Sequence, residues 1–242
     1  MYHKNHRLRR LLLVLATLSG AGVWLFLNPA SYETIFTESS ETIAEAKSEQ
    51  FAKAADILEK LAVKGRAPKT NYDRELFYTT WPTVDGCNLR QRIIKREFGD
   101  TAQFALGDAC TVISGEYDEP YTGEHKIFTA KTEITKGVQI DHVVALADAW
   151  QKGAQNLTAE ERYALATDPL NLLAVDASTN QKKSDGDAAT WLPPNKKFRC
   201  AYVARQVSVK YKYHLWVTAA EKSAIAQILT NCPNESAVGI EL

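Results

Sequence analysis

The chain has 242 residues, and its 29 lysine and arginine side chains balance its 29 aspartate and glutamate side chains, so the formal net charge at pH 7 is zero. A neutral chain has no overall attraction for nucleic acid, which excludes binding through bulk positive charge and leaves only local clusters of charge to consider. With its N-terminal segment set aside, the chain is long enough for one domain with a substantial hydrophobic core.

The N-terminus has the pattern of an export signal. The first ten residues carry four lysine or arginine side chains and no acid, and residues 11–27 carry no charge. This apolar segment is slightly short for a membrane-spanning helix of about 20 residues and slightly long for a signal-peptide core of about 7–15. We predict a signal peptide or signal-anchor over residues 1–30, a linker over 31–41, and a domain over 42–242. The domain is expected to be secreted, or anchored with its folded part outside the cytoplasm.

Hydrophobic periodicity and turn residues after the linker predict an α+β domain. The predicted elements are a helix from Thr42 that Gly65 ends, a helix over 89–98 that Gly99 ends, a hairpin with strands near 110–116 and 125–130, a strand over 138–144, helices within 145–154 and 158–167, a strand over 171–176, a polar turn, a helix over 198–215 and a last helix from Thr218. Capping boxes, in which a threonine is followed three residues later by a glutamate, mark three of the helix starts. They are Thr42/Glu45, Thr158/Glu161 and Thr218/Glu221. Trp81, Trp191 and Trp216 are expected to anchor the core.

The four cysteines indicate disulfide bonds. They are Cys87, Cys110, Cys200 and Cys232, and no two of them form a C-x-x-C pair, which disfavours a zinc site. An even number of cysteines in an exported chain is typical of disulfide pairing. Three pairings are possible, and we favour Cys87–Cys110 with Cys200–Cys232 because these close local loops around adjacent elements. Free cysteines in the core are the alternative.

Side chains suited to phosphodiester chemistry lie between residues 141 and 183. They are Asp141, His142, Asn171, Asn180, Lys182 and Lys183. Carboxylate and amide oxygens suit Mg²⁺, a neighbouring histidine can act as a general base, and lysines can neutralise phosphate oxygens. Neither a serine or cysteine nucleophile beside an evident base nor a glycine-rich phosphate loop is present in the sequence.

Each of these residues also has a purely structural interpretation. An aspartate–histidine pair at a strand end often only supports the fold, Asn171 follows a turn-forming Asp-Pro, and Asn180 is a candidate helix N-cap before "QKK". The two lysines could form a solvated helix face. The joint order of the residues, rather than any one of them, favours catalysis.

The stretches "DHVVAL" and "NLLAVDASTNQKK" resemble HNH endonucleases of the ββα-metal type. Together with "VKGRAPKTNYDRELF", "DGCNLR" and "YHLWVTAAEK", they are similar to exported bacterial HNH proteins related to the C-terminal domain of GmrSD-type restriction enzymes. The resemblance extends from about Leu58 to Cys232. It implies an α+β fold with a ββα-metal (HNH) nuclease core, to which further helices and a β-hairpin are added.

The resemblance also implies roles for individual residues. Asp141 and Asn180 match the positions that bind Mg²⁺ (or Mn²⁺), and His142 matches the general base. Asn171 matches an asparagine that braces the histidine-bearing loop. Lys183 matches a lysine at the start of the following helix, where we expect it to stabilise charge on the phosphate. The gap between the histidine and the middle asparagine is longer than in minimal HNH domains, and predicted helices fill it.

A basic stretch near the C-terminal part of the chain is the candidate nucleic-acid interface. The residues chosen for this role are Lys182, Lys196, Lys197, Arg199 and Arg205. They could follow a phosphate backbone, giving binding that weakens with salt, or they could form the polar face of a helix. Arg90 and Arg92 are further candidates of the same kind.

The predicted function is therefore metal-dependent hydrolysis of nucleic acid, with DNA favoured as the substrate. Membrane contact is expected only through the N-terminal segment, and no obligate protein partner is evident. One alternative is a non-catalytic extracellular module on the same fold that binds nucleic acid or an envelope component without a metal ion. A second is an interbacterial or competence-related partner protein whose activity appears only in a complex.

Overall fold

The computed structural model describes residues 51–241. The predicted export segment, the linker and the Thr42/Glu45 capping box therefore lie outside the described residues. Across residues 51–241, none of the helices has the length and apolar character needed to cross a membrane.

Short helices and short strands alternate along the described chain, which confirms the α+β class. The strands are β1 (Phe51–Lys53), β2 (Thr83–Val84), β3 (Cys87–Asn88), β4 (Gln103–Phe104), β5 (Val112–Asp118), β6 (His125–Phe128), β7 (Val138–His142), β8 (Leu172–Asp176) and β9 (Ser236–Glu241). The α-helices are α1 (Ala54–Lys60), α2 (Leu89–Phe98), α3 (Lys131–Gly137), α4 (Leu146–Gln151), α5 (Ala159–Thr167), α6 (Ala177–Lys183), α7 (Arg199–Lys212) and α8 (Ala219–Leu229).

The strands form small antiparallel sheets. β1 pairs with β9, β2 with β3, and β7 with β8, while β4, β5 and β6 form a three-stranded sheet in that order. The β5–β6 pair confirms the predicted hairpin. The β7–β8 pair places Asp141 opposite Leu173 and His142 opposite Leu172.

Several helices begin and end where local signals predicted. Helix α2 starts after Asn88, whose side chain accepts a hydrogen bond from the Arg90 amide, and it ends at Gly99, which has φ +54°. Such a positive φ is easily adopted by glycine, which lacks a Cβ atom. The capping boxes predicted for α5 and α8 are both present.

Two predictions about local structure are wrong. The predicted N-terminal helix begins only at Ala54 within the described residues, because the three residues before it pair with the C-terminal strand β9. The segment after β8 is helix α6 rather than a polar turn. Its N-cap is Asp176, which accepts a hydrogen bond from the Thr179 amide at 2.8 Å.

Strand β8 is buried on both faces, and this fixes the position of β7 beside it. Leu172 and Ala174 pack in a hydrophobic cluster with α2 and β5, whereas Leu173 and Val175 pack in a second cluster with α1, α7 and α8. Successive side chains of a strand point to opposite faces, so β8 lies between these two clusters. The β7–β8 pair is therefore held from both sides.

Both predicted disulfide bonds are confirmed. Cys87 in β3 pairs with Cys110, and their Cα atoms are 5.3 Å apart. Cys200 in the first turn of α7 pairs with Cys232, which follows α8, and their Cα atoms are 6.3 Å apart.

Five buried charged side chains form a group that we call the buried ion cluster, and the exposed Arg66 pairs with two of them at its edge. The buried members are Asp148, Lys152, Asp187, Lys210 and Glu221. The fully buried ammonium of Lys152 lies 2.6 Å from an Asp148 oxygen and 2.7 Å from an Asp187 oxygen. It also lies 2.7 Å from Glu221, which accepts a second contact from Lys210 at 2.9 Å. The cluster thus joins α4, α7 and α8 to the loop after α6.

Candidate functional site

Three of the predicted site residues line one cavity of about 540 Å³ at the end of β7. They are Asp141 and His142 from the strand and Asn180 from α6. The strand pair and the following helix therefore bring a carboxylate, an imidazole and an amide to one space, although the amide is far from the other two in sequence.

Asp141 is the buried acid of this cavity, with a relative exposure of 5%. Its Oδ1 accepts a hydrogen bond from Lys183 Nζ at 2.9 Å, and its Oδ2 accepts one from the Tyr121 hydroxyl. Burial raises the pKa of the Asp141 carboxyl above its ordinary value, while Lys183 and Tyr121 act in the opposite direction. A cation placed beside the carboxylate would stabilise its charged form.

Lys183 lies behind the carboxylate. Its fully buried ammonium donates to Asp141 Oδ1 and, at 2.8 Å, to the backbone carbonyl of His142. This differs from the expected contact with a phosphate. Lys183 is also the last residue of α6 rather than a residue at the start of a helix. Its side chain links the end of α6 to the end of β7.

His142 is oriented by a hydrogen bond and by an aromatic ring. Its Nε2 lies 2.9 Å from the Ala166 carbonyl oxygen, which can only accept a hydrogen bond, so Nε2 carries the proton and Nδ1 keeps a lone pair. The Trp81 ring stacks on the imidazole, with centroids 5.9 Å apart and an interplanar angle of 10°. Burial lowers the pKa of His142 to about 3, with a further lowering from Arg74, so the ring is neutral at neutral pH.

Asn171 is fully buried and acts on the loop after His142. Its Oδ1 accepts a hydrogen bond from the Val144 amide at 2.8 Å. Its Nδ2 donates to the carbonyl oxygens of Val144 and Leu165, each at 3.3 Å. The amide therefore ties the residues after β7 to helix α5, and Asn171 is not among the residues that line the cavity.

Asn180 lies inside α6, so its interpretation as a helix N-cap is wrong. Its Nδ2 donates to Gln139 Oε1 at 3.0 Å. Because the amide nitrogen makes this bond, the amide oxygen is the atom that could bind a cation. Gln139 lines the same cavity and helps to fix the amide plane.

The donor atoms fit a hard metal ion. Asp141 and Asn180 offer oxygen ligands, and each carboxylate oxygen has lone-pair capacity beyond the one hydrogen bond that it accepts here. Mg²⁺ usually keeps several waters and needs few protein ligands. Within the described part of the chain, the one group of three clustered histidine, cysteine or acidic donors is Cys200, Cys232 and Glu235, whose cysteines form a disulfide.

The cavity is also lined by residues that the motif did not include. They are Arg74, Tyr78, Trp81 and, from α2, Arg90, which was one of the further candidates for nucleic-acid binding. Trp81 was expected in the core but is half-buried against His142. Arg74 opens a three-residue 3₁₀ helix (Arg74–Leu76), which is too short to carry a periodic signal, so its place in the cavity was not predicted.

None of the five residues predicted for nucleic-acid binding lines this cavity. Lys182, Lys196 and Lys197 are exposed. Arg199 Nε donates to the Pro193 carbonyl at 2.8 Å, and Arg205 donates to the Leu170 carbonyl at 3.0 Å. Both arginines therefore make contacts that support the fold.

Comparisons with known proteins match most of the domain. The family described as "GmrSD restriction endonucleases, C-terminal domain" matches residues 89–228. A protein of Arthroderma benhamiae (strain ATCC MYA-4681 / CBS 112371), named "Uncharacterized secreted protein", is 35% identical over 182 residues, which cover 74% of this chain and 84% of the relative. No solved structure matches the chain significantly.

Proposed function

Because the chain belongs to the family of the GmrSD restriction endonuclease C-terminal domain, we propose that it is a metal-dependent endonuclease that hydrolyses phosphodiester bonds of nucleic acid, with DNA as the favoured substrate. One observation carries this proposal. A neutral imidazole, with its Nε2 bonded to a backbone carbonyl, lies in the same cavity as a buried carboxylate and an amide.

We also propose that β7, β8 and α6 form an HNH core of the ββα-metal type. Two antiparallel strands are followed directly by a helix, with the acid and the histidine at the end of the first strand and Asn180 on the helix. Helices α4 and α5 lie between the two strands in sequence, in the long gap noted from the sequence. Asn171 secures that inserted segment to the turn after β7.

In this proposal His142 is the general base. Its Nδ1 removes a proton from a water molecule, which attacks phosphorus in line with the departing 3′ oxygen. The bond from phosphorus to the 3′ oxygen breaks and that oxygen takes a proton from solvent, which leaves 5′-phosphate and 3′-hydroxyl ends. The Nε2 bond to Ala166 and the Trp81 ring hold the imidazole in one orientation. Lys183 and Tyr121 hold the Asp141 carboxylate.

The metal site consists of Asp141 and Asn180 in this proposal. Mg²⁺ or Mn²⁺ bound there would neutralise charge at the phosphate and at the departing oxygen. The exposed Lys182, Lys196 and Lys197 would add salt-dependent attraction for the substrate outside the cavity.

The direct test is cleavage of plasmid DNA and of a single-stranded oligonucleotide by the oxidised protein, with Mg²⁺ and with EDTA. We expect cleavage only when the metal ion is present. Absence of cleavage in both conditions, together with salt-sensitive DNA binding, would instead support a non-catalytic binding module on the same fold.

Replacing Asn180 with alanine should raise the Mg²⁺ concentration needed for half-maximal cleavage by roughly tenfold or more, because even partners outside the first coordination shell contribute 10–100-fold to metal affinity. A Mg²⁺ titration of the cleavage rate measures this. Gln181→Ala is the matched control, since Gln181 is the next residue of the same helix and is exposed. An unchanged titration for Asn180→Ala would remove Asn180 from the metal site.

We further propose that the domain acts outside the cytoplasm. The basic and apolar N-terminus, the two disulfides and the name of the Arthroderma benhamiae relative support export.

A further inference from the structure

Two arginines in the cavity have no acidic partner. Within residues 51–241, neither Arg74 nor Arg90 forms a salt bridge, whereas Arg92, two residues along the same helix, pairs with Asp85 at 2.6 Å. The buried acid of the cavity is Asp141, which Lys183 already neutralises. The two guanidinium groups therefore leave the cavity with positive charge that no carboxylate among its lining residues balances.

Each guanidinium group is held by a contact within the protein that uses only part of its N–H donors. Arg74 donates to the Tyr78 hydroxyl at 2.7 Å, and its guanidinium lies 5.3 Å from the centre of the Tyr78 ring. Arg90 donates to the Val138 carbonyl at 3.0 Å and is half-buried. A guanidinium carries five N–H donors. Each arginine therefore retains several donors, which can form a bidentate hydrogen bond with a phosphate.

We propose that Arg74 and Arg90 form a phosphate clamp that holds the backbone of the substrate strand in the catalytic cavity. This inference rests on the proposed function for the identity of the substrate and adds how the substrate is held. It places the main phosphate contacts on the wall formed by Arg74, Tyr78 and Arg90, and not on the basic stretch that includes Lys196 and Lys197. Arg90 lies within the family match, which begins at residue 89, whereas Arg74 precedes it.

The clamp can be tested by binding alone, without cleavage. The binding of a fluorescent single-stranded oligonucleotide to the whole oxidised protein is measured by anisotropy in EDTA over a range of salt concentrations. Arg74→Gln and Arg90→Gln should each raise the Kd roughly tenfold, as expected for a charge-assisted hydrogen bond. Each should also reduce the slope of log K against log salt by about 0.7, the value for one phosphate contact on a single strand.

Matched variants separate this result from loss of folding. Lys222→Gln, which removes one positive charge on α8 where Lys222 pairs with Glu59 at 2.8 Å, should change neither the Kd nor the salt slope. Arg90→Lys keeps the charge and should keep most of the salt slope, which guards against a packing defect at this half-buried position. Thermal unfolding of each variant verifies that the domain is folded.

The outcomes distinguish the clamp from the proposed function. Unchanged salt slopes in both glutamine variants, or no oligonucleotide binding by the unaltered protein, would overturn the clamp even if Mg²⁺-dependent cleavage is observed. Reduced slopes without any cleavage in Mg²⁺ would support the clamp and contradict the proposed hydrolysis.

Discussion

Replacing His142 with alanine should lower the rate of phosphodiester cleavage by about 10²–10⁴-fold, the usual contribution of a general base. Nδ1 of His142 is the basic nitrogen that the proposed reaction uses, because Nε2 donates to the Ala166 carbonyl. The affinity for DNA in EDTA should stay close to that of the unaltered protein, since His142 is neutral and contributes no charge to binding. Single-turnover cleavage and anisotropy measure the two quantities separately.

The matched control is His125→Ala. His125 lies on β6, is exposed, and its Nδ1 is 2.8 Å from Asp118. Its removal should leave the cleavage rate unchanged. Because His142 packs against Trp81, His142→Asn serves as a second variant that leaves a smaller gap beside the ring. Retention of the full cleavage rate by folded variants of both kinds would assign the base to another residue.

Replacing Lys152 with methionine should lower the free energy of unfolding by about 3–5 kcal/mol, the usual cost of breaking a buried ion pair. The Lys152 ammonium lies within 2.7 Å of oxygens from Asp148, Asp187 and Glu221. Without it, the three buried carboxylates keep only Arg66 and Lys210 as positively charged partners, so part of their negative charge is left unpaired. Urea unfolding at neutral pH measures the loss.

Lys222→Met is the control for this prediction. Lys222 forms a salt bridge with Glu59 at 2.8 Å, and the glutamate is 70% exposed. Such surface pairs contribute about 0–1 kcal/mol, so this variant should be nearly as stable as the unaltered protein. Equal losses in the two lysine variants would show that the buried ion cluster stabilises no more than a surface pair.

The buried ion cluster also gives the stability a dependence on pH. Burial alone would raise the pKa of Asp187, but Lys152 and Arg66 outweigh it and hold the pKa well below the ordinary value. A carboxyl whose pKa is depressed by folding contributes stability above its unfolded pKa, near 4, and loses that contribution as the pH falls below it. We expect acid unfolding to begin below about pH 4 and to be less pronounced when Asp187 is replaced by asparagine.

Local signals in the sequence predicted the elements that depend on neighbouring residues. Helix α2 has both an N-cap and a terminal glycine, and the capping boxes at Thr158 and Thr218 mark α5 and α8 correctly. The runs of β-branched and leucine residues predicted β7 and β8. The motif brought Asp141, His142 and Asn180 together because it spans this strand pair and the helix after it.

Features that depend on distant residues were not predictable in this way. Strand β1 pairs with β9 from the other end of the chain, and no local pattern reports such a pairing. Helix α6 has little apolar character of its own, and its contacts include those from Lys183 to Asp141 and from Asn180 to Gln139. Glu221 looks like an ordinary capping residue in the sequence, but it is fully buried because Lys152 and Lys210 surround it.

The disulfide bonds have a consequence for the compartment in which the domain is stable. The Cys200–Cys232 bond spans a sequence separation of 32 residues, for which the chain-entropy model gives a stabilisation of about 3–4 kcal/mol. That is a large share of a typical domain stability of about 5–15 kcal/mol. In a reducing cytosol the new chain would lack both cross-links, so the domain would reach its full stability only in an oxidising compartment.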